Sequence, residues 1–145
     1  MKLSDVPPHI TEVENHPPVL NQDHVIPRWH LDYYDGPLAG IIEYKGKFLY
    51  ARHLYYMDRR WWAAWELTPE ELQTEQTRHE LFEKYVGTHT SYVPDGDGDY
   101  RVNHNVKPEG DWRQFYDNKE LAKVNFEAVE EREMVGILTN PFRWA

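Results

Sequence analysis

Between Leu38 and Leu67 three apolar, aromatic-rich runs are separated by turns of only two and four residues. Connections that short permit antiparallel neighbours alone, because a parallel pair needs a crossover of a dozen or more residues. The runs are Leu38 to Tyr44, Lys47 to Tyr56 and Trp61 to Leu67. Their aromatic and branched side chains suit a pleated surface. Lys45-Gly46 makes the first turn, although lysine resists the positive φ that a two-residue hairpin demands. Met57-Asp58-Arg59-Arg60 makes the second.

If Tyr44 opposes Lys47 and Tyr56 opposes Trp61, side-chain alternation sorts the strands into two faces. One face collects Ile41, Phe48, Tyr50, Leu54 and Tyr56 with Trp61, Ala63, Trp65 and Leu67. This is the expected core, with Arg52 set over Trp65 as a cation–π pair. The other face collects Ile42, Tyr44, Leu49, Ala51, His53 and Tyr55 with Trp62, Ala64 and Glu66. It is too apolar to be simply wet and too polar to be simply core.

A helix follows at once. Thr68 is a capping residue, Pro69 fits a first helical position that needs no N–H, and Glu70 and Glu71 suit the positive end of the dipole. Thr68 with Glu71 spells a capping box. Leu72, His79, Phe82 and Val86 recur at helical spacing, and Gly87 suits a left-handed cap. The helix is expected over 69–86, packed on the first face of the sheet.

Residues 1–28 read as an extended arm, because Pro7-Pro8, Pro17-Pro18 and Pro27 interrupt any regular period. Residues 29–145 then form a single domain. Trp29 to Tyr34 and Tyr100 to Val106 alternate as strands, and Asp111 caps a short helical turn bearing Trp112, Phe115 and Tyr116. Leu121 to Ala128 and Glu133 to Thr139 read as two further strands around a turn at Glu130-Glu131-Arg132, and Phe142 and Trp144 give the chain end something to dock with. Asp95-Gly96-Asp97-Gly98-Asp99 fails the EF-hand pattern, which needs glycine and glutamate where Tyr100 and Val106 stand, and reads as a turn. The expected class is therefore α+β: a twisted, mostly antiparallel sheet of about five to seven strands, one main helix on one face, and a proline-rich N-terminal arm.

Composition bounds the function. A net charge of −9 disfavours duplex nucleic acid, whose binding rests on cationic contacts to phosphate. No stretch approaches the ~18 apolar residues of a membrane span, and the first residues lack a signal-peptide core, so a cytoplasmic location is expected. The chain contains no cysteine, which removes disulfides and thiolate chemistry. No Gly-x-Ser-x-Gly, Walker or His-Glu-x-x-His pattern is present, and neither cofactor nor metal is implied. His79 lies on the apolar stripe of the helix, where a structural histidine is favoured over a catalytic one. His89 lies roughly 15 Å of helical rise away, a poor distance for a shared metal, while His79 with Glu75 or Glu83 makes an i, i+4 pair of the kind that ligates one.

The basic residues cluster instead between Glu43 and Arg60. There Tyr44, His53, Tyr55 and Trp62 lie near Arg59, Arg60 and Glu66, and aromatic rings with arginine are the composition of an interface hot spot. The expected function is non-catalytic contact with a protein partner through this hairpin face. A small phosphorylated or nucleotide-like ligand is the alternative, with a phosphate on Arg59, Arg60 or Arg52. A histidine-based acid–base or metal enzyme using His79 and His89 is the third reading.

Overall fold

The computed structural model describes residues 1–33, 35–118 and 121–142. Tyr34, expected at the end of a strand, and Trp144, expected to dock, lie outside them. The chain forms β1 (Val25–Tyr33), β2 (Pro37–Tyr44), β3 (Lys47–His53), β4 (Trp62–Glu66), α1 (Pro69–Tyr85), β5 (Tyr92–Pro94), β6 (Tyr100–Val102), α2 (Trp112–Tyr116), α3 (Phe126–Glu130) and β7 (Gly136–Leu138). One sheet runs β1-β2-β3-β4-β7, antiparallel at every pairing, and β5 and β6 form a separate ribbon. The class is α+β, as expected.

The meander owes its register to its two turns. Tyr44 pairs with Lys47, and Lys45 adopts φ 50° and Gly46 φ 81°, so the lysine takes the left-handed conformation a tight hairpin requires. At the second turn His53 pairs with Trp62, two residues away from the expected Tyr56–Trp61 pairing. A slip by an even number leaves every strand residue on its expected face. The longer loop is held from within by Asp58. Its carboxylate accepts bonds from the Arg60 guanidinium and from the backbone N–H of Ile10, and the guanidinium holds it down at about pKa 2. Tyr56 leaves the sheet here and is 85% exposed.

Both faces of the sheet are buried. Ile41, Tyr50, Ala63 and Trp65 pack with Ile10, Trp29, Val129 and Ile137 on one side. Ile42, Leu49, Ala51 and Trp62 pack with Leu20, Tyr92, Val102 and Phe142 on the other. α1 and α3 cover the first face, where Phe126 stacks on Tyr50 at 4.4 Å. The ribbon and Phe142 cover the second.

Four expectations are corrected. Residues 121–128 do not form a strand: Asn125 caps α3 by accepting the Ala128 N–H, and Phe126 and Val129, one turn apart, meet the sheet. Short apolar runs carry no period long enough to separate helix from strand. The strand from Tyr100 stops at Val102, and Val106 instead bridges Gly87. Arg52 does not lie over Trp65; its Nη1 donates to both carboxylate oxygens of Glu130 at 3.2 Å. The arm ends earlier than residue 28, because β1 starts at Val25 and tolerates Pro27 on an edge strand beside a bulge.

Within the arm only three single-turn 3₁₀ segments are regular. It is nonetheless fixed: Ile10 and Leu20 are buried, and Pro18 and Leu20 exchange backbone bonds with Ile137, so the arm runs beside β7 and closes that edge. At the opposite edge His30 donates its backbone N–H to Thr90.

Gly40 lies where β2 faces the Trp29 carbonyl, and a Cβ there would sit 2.5 Å from that oxygen and against the Phe142 ring. Gly40→Ala is expected to destabilise the protein by about 1–3 kcal/mol, read as a lower urea midpoint at unchanged m-value.

Candidate functional site

The orientation of α1 is set at its start. Thr68 and Glu71 form the capping box, and the Arg132 guanidinium forks onto the Glu71 carboxylate through two bonds of 2.7 Å. With the helix so fixed, Glu75, Arg78, His79 and Phe82 follow one another at i, i+3, i+4 and i+7 on one face. Glu75 is 2% exposed and His79 9%, so the helix presents a carboxyl group and an imidazole to the interior.

Trp29 receives both. Its indole N–H donates to Glu75 Oε1 at 3.1 Å, and the His79 ring stacks on its face at 4.2 Å and 8°. His79 Nε2 lies 2.7 Å from Glu83 Oε1 and 2.9 Å from Ser91 Oγ, while Ser91 donates to Glu83 at 3.1 Å. A nucleophilic triad places its acid on one ring nitrogen and its hydroxyl on the other. Here both meet Nε2 and the hydroxyl proton goes to Glu83, so Ser91 is anchored rather than activated. On β1, His30 Nδ1 lies 3.2 Å from the Tyr92 hydroxyl.

Of these groups, Glu75, His79 and His30 line a cavity of about 580 Å³ that also takes in His89, Phe82 and Phe115. Its volume falls in the range of small-molecule sites. Phe82 meets Trp112 and Phe115 edge-on at 5.5 and 5.2 Å. Trp112 and Tyr116 stack on each other at 5.9 Å and remain 43% and 57% exposed, forming an aromatic rim.

Burial sets the charge of the walls. It lowers His79 to about 4, and it lowers His30 to about 4 with help from the neighbouring His89 and His79. His89 is lowered as well, by burial. The three imidazoles are therefore neutral at neutral pH, and the contact between His79 and Glu83 is a hydrogen bond from a neutral ring. Burial raises Glu75 to about 7 against the opposing pull of the Trp29 N–H and the Arg78 charge. Arg78 lies over the Phe115 ring at 4.8 Å. Arg78 Nη1 and His89 Nδ1 are both buried without a hydrogen-bond partner. Native interiors rarely leave such atoms unpaired, and each costs about 1–3 kcal/mol. Among the described residues, no group of three or more His, Asp or Glu is placed to hold a metal ion, and no helix is long and apolar enough to cross a membrane.

The hairpin residues singled out from sequence are partly brought together. His53, Tyr55, Arg59, Arg60 and Trp62 share a second cavity of about 430 Å³. Within it Trp62 is 2% exposed, stacked on His53 and packed against Phe142, and so belongs to the core. His53 Nε2 lies 2.8 Å from the Arg59 carbonyl oxygen, Arg59 covers Tyr55 at 5.0 Å, and Arg60 is held by Asp58. Tyr44 lies apart, its hydroxyl accepting the Asn21 N–H, and Glu66 pairs with Lys47 at 3.5 Å.

His79 and His89 do converge on one cavity. The chain reverses at Gly87, with φ 145°, and brings the His89 ring to 5.5 Å from Phe82. Helical rise alone could not show this reversal. Sequence reasoning passed over Arg78, His30 and Trp112 as a site. One signal was present: the apolar stripe Leu72, His79, Phe82, Val86 is completed by Glu75, a carboxylate at an inward position. No known family model, curated protein or solved structure matches the chain.

Because the folded-state pKa of Glu75 lies above its unfolded value, the stability it permits is complete at acid pH and is lost as pH rises through about 7. His30 and His79 act in the opposite sense, withdrawing stability as pH falls from 6.5 towards 4. Glu75→Gln keeps an acceptor for Trp29 and cannot ionise. Its stability relative to wild type is expected to rise by up to about 3 kcal/mol between pH 4 and pH 8, measured by urea unfolding at both. The histidine contributions cancel in that difference.

Proposed function

We propose that the protein binds a small, planar aromatic molecule in the cavity between α1, β1 and α2. The observation that carries this reading is the pairing of a ring-walled cavity with two buried, unpartnered nitrogen atoms, on Arg78 and His89. Apolar walls supply area, and a few fixed polar groups supply orientation, which is the usual division of labour in a small-molecule site. The exposed Trp112 and Tyr116 rings extend the apolar surface to the mouth. An aromatic guest between such rings gains stacking beyond simple burial. The anchored Ser91 supports binding over nucleophilic chemistry.

Titration with 1-naphthamide, followed through tryptophan fluorescence, tests the proposal. Wild type is expected to show saturable binding, and Trp112→Ala to weaken it about five- to tenfold. Failure of the wild-type protein to bind any planar aromatic probe up to millimolar concentration would remove the reading.

A second reading has its own observation. Tyr56, 85% exposed, stands edge-on to Tyr55 at 4.8 Å beside Arg59, an aromatic–cationic projection suited to an acidic protein partner. Tyr56→Ala with Arg59→Glu leaves the Asp58–Arg60 pair intact. A partner bound by wild type is expected to be lost by this double variant, and its full retention in a pull-down counts against the contact.

A further inference from the structure

Among the described residues, one guanidinium, that of Arg78, lines the cavity. Arg78 makes no ion pair among the described residues, and its Nη1 has no hydrogen-bond partner. The carboxyl group one turn earlier, Glu75, is turned instead to the Trp29 indole. The Arg78 guanidinium carbon lies 4.8 Å from the Phe115 ring centroid, and a planar guanidinium suits a bidentate acceptor.

We infer that the ligand of this cavity carries a single carboxylate on its aromatic body, received by the Arg78 guanidinium with the His89 imidazole beside it. The inference rests on the proposed function and names the chemical class of its ligand. His89 lines the same cavity with an unpartnered Nδ1, and as a neutral ring it offers one hydrogen bond without adding charge. One guanidinium balances one negative charge. A phosphate dianion would bring two charges into walls built of Phe82, Phe115, Trp112 and uncharged imidazoles, where an unpaired charge is costly. A carboxylate is also flat and continues the plane of an aromatic ring, so it adds no thickness to a planar guest.

The competing acceptor inside the molecule is Glu75. Burial holds it partly uncharged near neutral pH against the opposing pull of the indole N–H, so it does not neutralise Arg78 in full. Binding of an anion beside it favours its protonated form, and proton uptake accompanies binding on this account. The other titratable groups lining the cavity are His79 on α1, His30 and Tyr33 on β1, Tyr116 on α2, and His89 and His104 from the segments that close it.

The experiment compares three probes of one shape by isothermal titration: 1-naphthoate, 1-naphthamide and 1-naphthyl phosphate. Wild type is expected to bind the carboxylate at least tenfold more tightly than the amide, and more tightly than the phosphate. Arg78→Gln is expected to erase the carboxylate–amide ratio. Arg78→Lys, which keeps the charge and loses the fork, is expected to fall between. Equal affinity of wild type for carboxylate and amide overturns the inference while leaving the aromatic site standing. A preference for the phosphate overturns the assignment to a carboxylate. Binding of none of the three removes the site itself. Should Arg78→Gln fail to fold, Arg78→Lys decides: an undiminished ratio there overturns the role of the bidentate fork.

Discussion

A five-stranded sheet that is apolar on both faces is the constraint from which the rest of this structure follows. Trp65 points to one side and Trp62 to the other, and each is almost wholly buried. Neither face can be left to water, since each large ring buries about 150–250 Å². A chain of this length has few elements with which to cover two faces. It uses α1 and α3 on one, the short β5–β6 ribbon and Phe142 on the other, and threads its proline-rich arm across the margin, with Ile10 in one core cluster and Leu20 in the other.

That demand explains why a weakly amphipathic helix lies on the sheet at all. α1 buries Glu75 and His79 instead of an unbroken row of leucines. Trp29 satisfies them, one by a hydrogen bond and the other by stacking, so β1 holds the helix through polar and aromatic contacts. Close packing between helix and sheet gives way to a cavity where Arg78, Phe82 and His89 meet α2. Groups that weaken a core are thereby gathered where a ligand would meet them, and buried polar groups with shifted pKa values are characteristic of functional sites.

Legibility followed the range of the interactions involved. The hairpin at Lys45-Gly46, the two faces of the meander and the start of α1 depend on neighbours within a few residues. Their turn chemistry, alternation and capping are written locally. The two-residue slip at the second turn was not legible, because Asp58 fixes that loop by holding Ile10, 48 residues away. The helix at Asn125 was read as a strand because five residues give no period that separates the two. At the site, the carboxylate of Glu75 on an inward position was visible, but its partner Trp29 lies 46 residues earlier and no local pattern links them. The hairpin residues Tyr44 and Glu66 were grouped with Trp62 by face alone. The tertiary structure gave Trp62 to the core, packed Tyr44 half-buried against the margin of the same cluster and left Glu66 to a surface ion pair.

By itself, the sequence determined the α+β class, the antiparallel order of the meander, the placement of α1 and the absence of thiol chemistry. These follow from turn lengths, side-chain period, capping residues and composition, all of them properties of short stretches of chain. Only the tertiary structure decided which face each segment covers, that the chain reverses at Gly87 to bring His89 back beside Phe82, and that Glu75 and His79 share one indole. Those outcomes depend on burial and on contacts between residues far apart in sequence, where the energy of a group is set by what surrounds it and not by what precedes it.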